Sequence, residues 1–420
     1  MQQLWVVYQG KKVGTVHKDV EETLSFQYAS SWLQDPQAFP ISFSLPLQDQ
    51  PFGNKSTLAF FENLLPEGEV LHDLSKSKGI SDTFELIKHF GKDCAGALSI
   101  YPEDFDQLGF TGEVKKIDLE KIYAALEEKI SIAQMVADES PGYLSIAGAQ
   151  DKFPCIYRDG NIYLPEDGSP TTHIVKAPIW RHGVKESVLN EYFCMTLADK
   201  VGLKTSPCFV VDGLYPLFMI ERYDRQHIEK NVYIRLHQED LCQAQGMLAK
   251  YKYEMSGGPS IQDNFHFIQK HIHVQHRYQA LEDFQSWIAF NLIIGNNDSH
   301  SKNISILRNE KSQYVLAPFY DLLSTSIYPK LERNFSFMIG GRNEFSKIGK
   351  NQINLLEDQC ELKRGAFQEQ LQNMAQKIEN KISSHRIEIE RMWPGTKIAK
   401  KIQQEVAQRL KSLRIQKAID

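Results

Sequence analysis

Strand-like segments dominate this sequence up to about Arg225, and helical periodicity takes over from Asp240, broken by one hairpin near residues 304 to 318. A chain of 420 residues is also too long for one ordinary core. Length and pattern together ask for two or three lobes. The opening is a hairpin: Leu4–Tyr8 and Val13–Val16 flank the polar turn Gln9-Gly10-Lys11-Lys12. Further β-type segments fall at Leu24–Tyr28 and Phe43–Leu47. Helical stretches follow at Thr57–Leu65 and Asp82–Phe90, the second with Ser81 and Asp82 as cap candidates.

These segments divide the chain into an N-terminal subdomain (1–102), a connector (103–140), a small lobe (141–230) and a helical lobe (231–420). The connector carries one expected amphipathic helix, with Leu119, Ile122, Tyr123, Leu126 and Ile130 at helical spacing. In the small lobe, strands alternate with one helix from Ser187 to Val201. The tail after Pro394 is a basic amphipathic helix whose Ile398, Ile402, Val406, Leu410 and Leu413 share a face. Its basic residues read as the solvated side of a packed helix more readily than as a nucleic-acid arm.

Composition narrows the class. Acidic residues number 53 against 48 basic ones, a net charge of −5, which argues against a general binder of nucleic-acid phosphates. The six cysteines are scattered without C-x-x-C or His-paired spacing, as expected of buried thiols in a reducing compartment. The N-terminus reads as a strand and not a signal peptide. The most apolar window, Trp287–Ile294, is far too short for a membrane span. A cytoplasmic protein with no membrane association is expected.

The strongest chemical signal lies between Trp287 and Ser324. A helix ends at Gly295-Asn296-Asn297, followed by Asp298-Ser299-His300-Ser301-Lys302-Asn303, a hairpin (Ile304–Leu307 and Tyr314–Ala317), and then Pro318-Phe319-Tyr320-Asp321. Phosphoryl transfer needs this order from a short region. One Asp takes or orients the acceptor proton, an Asn five residues on reaches a metal, and a second Asp, returned by the hairpin, chelates Mg²⁺ bridging the phosphates. Lys302 can neutralise charge on the transferring group. Asp-x₄-Asn alone also fits a polar helix end before an ordinary hairpin; the returning Asp321 favours the metal site.

Three weaker signals precede it in the order a kinase requires. Ser145-Ile146-Ala147-Gly148-Ala149-Gln150-Asp151-Lys152 offers small residues whose backbone can approach phosphates, although it is not a Walker A sequence and a plain strand turn fits it equally. Thr171–Lys176 ends a short apolar strand in a lysine suited to phosphates. The helix from Ser187 carries Glu191 as candidate ion-pair partner of Lys176, with Glu186 as rival. Pro216–Arg225 is an apolar strand breaking into a polar segment, as in a kinase hinge, or a core strand ending at a surface turn.

The sequence resembles the HipA family, the serine/threonine kinase toxins of bacterial HipBA toxin–antitoxin systems. The resemblance rests on Phe60–Gly68, Gly91–Leu98, Ser145–Lys152, Thr171–Lys176, Glu221–Arg225, Arg235–Asp240, Tyr253-Glu254 with Gly257-Gly258-Pro259, Asp298–Asn303 and Pro318–Ser324. It fades beyond about residue 345. It implies an α+β, two-lobed protein-kinase-like catalytic fold with a β-rich N-terminal subdomain and a mainly helical C-terminal lobe. It implies Asp298 as catalytic base and Asn303 and Asp321 as Mg²⁺ ligands. ATP contacts would come from Ala147, Gly148, Ala149, Gln150, Asp151, Lys152, Lys176, Glu221, Arg222, Tyr223, His300, Ser301, Lys302, Asn303, Tyr320 and Asp321. Ser145 falls on the family's autophosphorylation serine, where a phosphate would compete with ATP for the adjacent loop.

The resemblance further implies a HipB-like helix-turn-helix antitoxin as partner, with operator DNA reached through it. It implies an aminoacyl-tRNA synthetase as substrate, glutamyl-tRNA synthetase first. Ser299, Ser301 and Tyr223 depart slightly from the family pattern, without touching a charge the mechanism needs. A small-molecule kinase and a non-catalytic co-repressor are the alternative readings of the same residues.

Overall fold

The computed structural model describes residues 2–80, 82–103, 113–140, 142, 147–166, 169–229 and 232–420. The chain divides into two compact units: Met1–Ala177 with Asp212–Ala249 and Leu307–Lys311, and Pro178–Val211 with Lys250–Ile306 and Ser312–Asp420.

The first unit opens on an antiparallel sheet of β1 (Gln2–Tyr8), β2 (Lys11–Lys18), β3 (Leu24–Tyr28) and β4 (Leu98–Pro102), in the order β3-β2-β1-β4. The β1–β2 turn holds Gln9 at φ 45° and Gly10 at φ 80°, the left-handed pair a tight hairpin requires. Period-two alternation buries Leu4, Val6, Val16, Phe26 and Tyr28.

The expected strand at Phe43–Leu47 does not form; the segment makes one isolated bridge, Ser42 to Leu45. Side chains satisfy its backbone instead. The Phe43 N–H donates to Glu239 at 3.1 Å and the Leu45 carbonyl accepts from the Tyr28 hydroxyl at 2.5 Å. Helices form at Asn54–Phe61 and Thr83–Phe90, and Asp82 caps the latter by accepting from the Glu85 N–H. A helix at Gly68–Lys78 was not expected; it buries only Val70 and Leu74 and stops at Gly79, φ 65°.

The connector also departs from expectation. It holds a strand, β5 (Val114–Ile117), and two helices, Leu119–Glu127 and Ile132–Glu139. Lys129 at φ 59° ends the helical run, so Ile130 lies beyond the helix, 39% exposed. β5 joins a second antiparallel sheet with β6 (Lys152–Arg158), β7 (Asn161–Pro165), β8 (His173–Lys176) and the strand Leu217–Glu221, in the order β5-β7-β6-β8-Leu217–Glu221.

The second unit is helical. Val274–Ile294 packs with Ala366–Met392, Ile398–Ile415 and Ile261–His271, and Ser187–Lys200 packs against the two C-terminal helices. The apolar window Trp287–Ile294 is entirely buried and belongs to this core. Among the described residues no helix is long and apolar enough to cross a membrane. The tail helix buries Ile398, Ile402, Val406, Leu410 and Leu413, as their shared face required. None of the six cysteines forms a disulfide, and all but Cys208 are buried.

Candidate active site

The helix Val274–Ile294 ends at Gly295, whose φ of 76° caps it in the left-handed conformation. Only glycine fits: a Cβ there would lie 2.0 Å from Ser326 Oγ and 2.8 Å from Arg409 Nε. The chain then turns sharply, and buried amides hold the turn. Asn291 Oδ1 accepts from Asn296 Nδ2 at 2.8 Å. The Asn296 side chain also accepts the Asp298 N–H at 3.2 Å and donates to the Asp321 carbonyl at 3.3 Å. One buried amide therefore ties together the two acidic residues separated by the hairpin.

Asn303 donates its Nδ2 to the Asp298 carbonyl at 3.0 Å, which fixes the amide and leaves its Oδ1 as an acceptor. Asp321 sits at φ 60°, a left-handed conformation that costs an L-residue about 1–2 kcal/mol and is typical of residues held for function. The Asp298 side chain is 57% exposed, and its Oδ1 accepts a hydrogen bond from the Tyr253 hydroxyl at 2.5 Å. His300 is buried, its ring edge-on to Tyr253 with centroids 5.1 Å apart. Ser301 Oγ accepts from Asn264 and donates to the Pro259 carbonyl. Lys302 is buried and offers its carbonyl to the Tyr320 hydroxyl at 2.8 Å.

Behind this loop, Asn297 is anchored through its N–H to Thr325 and its carbonyl to Ser336. From the tail helix, buried Arg409 donates to the Leu292 carbonyl at 2.9 Å and to Glu405 at 2.8 Å. Glu186, the rival ion-pair candidate, is engaged elsewhere: it accepts from Thr396 Oγ1 and the Lys397 N–H. Glu191 is buried on the helix Ser187–Lys200.

In the first unit, Ser145 lies outside the described residues. Gly148 has φ 115°, and a Cβ there would meet Lys152 Nζ at 2.7 Å, so the lysine tip closes over the glycine backbone. The Gly148 carbonyl accepts from the Glu67 N–H at 3.0 Å. Gln150 donates to the Ala177 carbonyl. Asp151 caps the helix Ile132–Glu139, accepting from Ser131 Oγ and the N–H groups of Ile132 and Ala133; burial raises its pKa against these bonds. Lys152 stands directly opposite Lys176 across β6 and β8, so both side chains leave one face of the sheet. Lys176 is buried, its ammonium 5.7 Å from the Phe218 ring centroid.

Glu221 ends its strand exposed. The Arg222 N–H donates to the Thr172 carbonyl at 2.9 Å, and the Tyr223 hydroxyl to Gln238 at 2.8 Å. The Arg222 guanidinium turns inward to Asp93, Asp224 and the Cys94 carbonyl. Arg225 and Arg235 also reach Asp93, which has no exposed side-chain surface. Burial would raise the Asp93 carboxyl, but Arg225, Arg235 and Arg222 outweigh it and hold the group well below the usual carboxylate range. The segment Glu221–Arg225 is thus fastened by its arginine and Asp224 side chains, with Glu221 exposed and Tyr223 half-buried.

The fold is that of a kinase-type enzyme. A HipA N-terminal domain matches residues 4–101 and a HipA-like C-terminal domain residues 144–382. The Sinorhizobium fredii protein named "Putative kinase Y4mE" is 36% identical over 345 residues, covering 80% of each chain. The serine/threonine-protein kinase toxin HipA of Shewanella oneidensis is 30% identical over 375 residues, covering 86% of this chain and 84% of the relative. The solved complex of Shewanella HipA, HipB and operator DNA contains a chain that matches with a TM-score of 0.82 at 27% identity, over 97% of this chain and 96% of that one. The chain belongs to the HipA family of serine/threonine-protein kinases.

Sequence reasoning named the acidic pair but not what holds it. Asn296 and Tyr253 were visible only as motif letters. Arg409 carried no signal at all, one basic residue among many on a tail helix.

Proposed function

We propose that the chain transfers the γ-phosphoryl group of ATP to a protein serine or threonine as the toxin of a toxin–antitoxin pair. The observation that carries this is the Asn296 amide, which joins Asp298 and Asp321 through their backbones. In this reading Asp298 takes the proton of the acceptor hydroxyl as its oxygen attacks the γ-phosphorus. The bond to the bridging oxygen breaks, and its electron pair leaves with ADP.

Asn303 Oδ1 and the Asp321 carboxylate are hard oxygen donors, a set that suits Mg²⁺ completed by phosphate oxygens. Among the described residues no three His, Cys, Asp or Glu side chains gather as a separate metal site. When bound, the ion would neutralise charge on the phosphates. In the first unit, Lys152 and Lys176 place two cationic side chains on one face beside the glycine backbone at 148, which favours a polyanion such as ATP. Glu221, Arg222 and Tyr223 would offer the adenine a backbone edge and an aromatic wall.

The Shewanella relative, solved with HipB and operator DNA, supports a HipB-like antitoxin as partner and DNA reached through it. The substrate we propose is an aminoacyl-tRNA synthetase, glutamyl-tRNA synthetase first. Ser145 is the proposed self-inactivation site, three residues before Gly148 in the loop that would face the phosphates. The test is incubation of the purified chain with labelled ATP and cell lysate, beside Asp298→Asn. A discrete labelled protein band that the variant does not produce is expected. Label confined to small metabolites, or an equally active variant, would refute the reading.

A further inference from the structure

Asp298 is fixed at its backbone by Asn296 and Asn303, yet its carboxylate is more than half exposed. A base in that situation retains two side-chain torsions, and proton transfer needs both oxygens placed. Among the described residues, one side chain holds that carboxylate by a hydrogen bond. The Tyr253 hydroxyl donates to Oδ1 at 2.5 Å, whereas His300 Nε2 stands 4.0 Å from the same oxygen, beyond hydrogen-bond distance.

Tyr253 is itself held. Its carbonyl accepts from the N–H groups of Ser256 and Gly258, both at 3.0 Å. Its ring sits edge-on to buried His300. The next residue, Glu254, accepts the Met338 N–H at 2.8 Å, and the Pro259 carbonyl accepts from Ser301 in the catalytic loop. Close packing is built in, since a Cβ on Gly258 would fall 1.9 Å from the Tyr251 carbonyl oxygen. The turn that carries Tyr253 is therefore a fastened part of the loop and not a mobile plug lying on it.

We propose that Tyr253 is the positioning residue of the phosphotransfer base: its hydroxyl fixes Oδ1 of Asp298, so that Oδ2 is the oxygen that receives the acceptor proton. The inference rests on the function proposed above. A phenol donating to a carboxylate makes a charge-assisted bond, stronger than a neutral one. Its loss frees the carboxylate to rotate without removing any group that binds nucleotide.

The test is Tyr253→Phe in the full chain, which keeps the ring on His300 and removes only the hydroxyl. Phosphorylation of a protein acceptor should show kcat reduced about 10- to 100-fold, the worth of one hydrogen bond to a charged group. The KM for ATP and the melting temperature should be unchanged. Tyr251→Phe, which removes a neighbouring hydroxyl in the same segment, should leave kcat as it was. An unaltered kcat in Tyr253→Phe overturns the proposal. A raised kcat also overturns it, because the hydroxyl would then be occupying the acceptor's place. So does a loss that Tyr251→Phe reproduces, or one matched by falls in ATP affinity and melting temperature. Failure of the proposed function shows separately, as wild-type activity no higher than that of Asp298→Asn.

Discussion

Gly295→Ala tests how the proposed catalytic loop is set on its helix. The substitution adds one methyl group at φ 76°, where the left-handed conformation costs an L-residue about 1–2 kcal/mol. The methyl would also sit 2.0 Å from Ser326 Oγ and 2.8 Å from Arg409 Nε, well inside contact distance. Relief requires Ser326 or Arg409 to move, and overpacking of this kind costs about 1–3 kcal/mol. The sum, about 2–5 kcal/mol, should lower the melting temperature by roughly 5–15 °C for a unit of this size. Activity should fall further than stability explains, because Arg409 also holds the Leu292 carbonyl in the last turn before the loop. Differential scanning calorimetry and the phosphorylation assay on the same sample read both effects. Gly295→Ala with Ser326→Ala removes the nearest collision and should recover part of the loss, leaving the backbone term. A single variant that melts within 2 °C of wild type with full activity would refute the reasoning.

Two further outcomes follow from buried groups. Burial, opposed by bonds from Ser42 and the Phe43 N–H, pushes the Glu239 carboxyl up to about 8. An unfolded Glu releases its proton near pH 4.3, so the native chain keeps a proton that the unfolded chain has lost. Stability should therefore fall as pH rises from about 4 through about 8. Glu239→Gln should flatten melting temperature against pH across that window, and an unchanged slope would count against it. Arg409→Met strands the Leu292 carbonyl and breaks the pair with Glu405, costing about 2–4 kcal/mol. It should lower the melting temperature and kcat together while leaving ATP affinity intact, as read by calorimetry and nucleotide titration.

Local chemistry was legible where a residue's partners lie close in sequence. The β1–β2 hairpin, the Asp82 cap and the apolar face of the tail helix could all be read from spacing, because each is decided within a few residues. Phe43–Leu47 misled because its alternation suits a strand, while the groups that satisfy it, Tyr28 and Glu239, are distant in the chain. The connector failed for a local reason, since Ile130 continued a helical pattern that the backbone at Lys129 interrupts. Arg222 shows the limit most plainly. As letters it belonged to a nucleotide-facing hinge, and nothing in those letters announced Asp93, 129 residues away, as the partner of its guanidinium.

That partnership has a consequence for how such a chain can be divided. Asp93 lies in the stretch matching the HipA N-terminal domain, and Arg222, Arg225 and Arg235 lie in the stretch matching the C-terminal one. Cutting between the two would strip three buried guanidinium groups of a shared counter-charge, a loss neither fragment could make good from water alone. The modules that sequence families count as two are thus a single heritable part. Truncating the gene at their border is expected to leave neither piece with its native fold, and a folded C-terminal piece on expression would refute this.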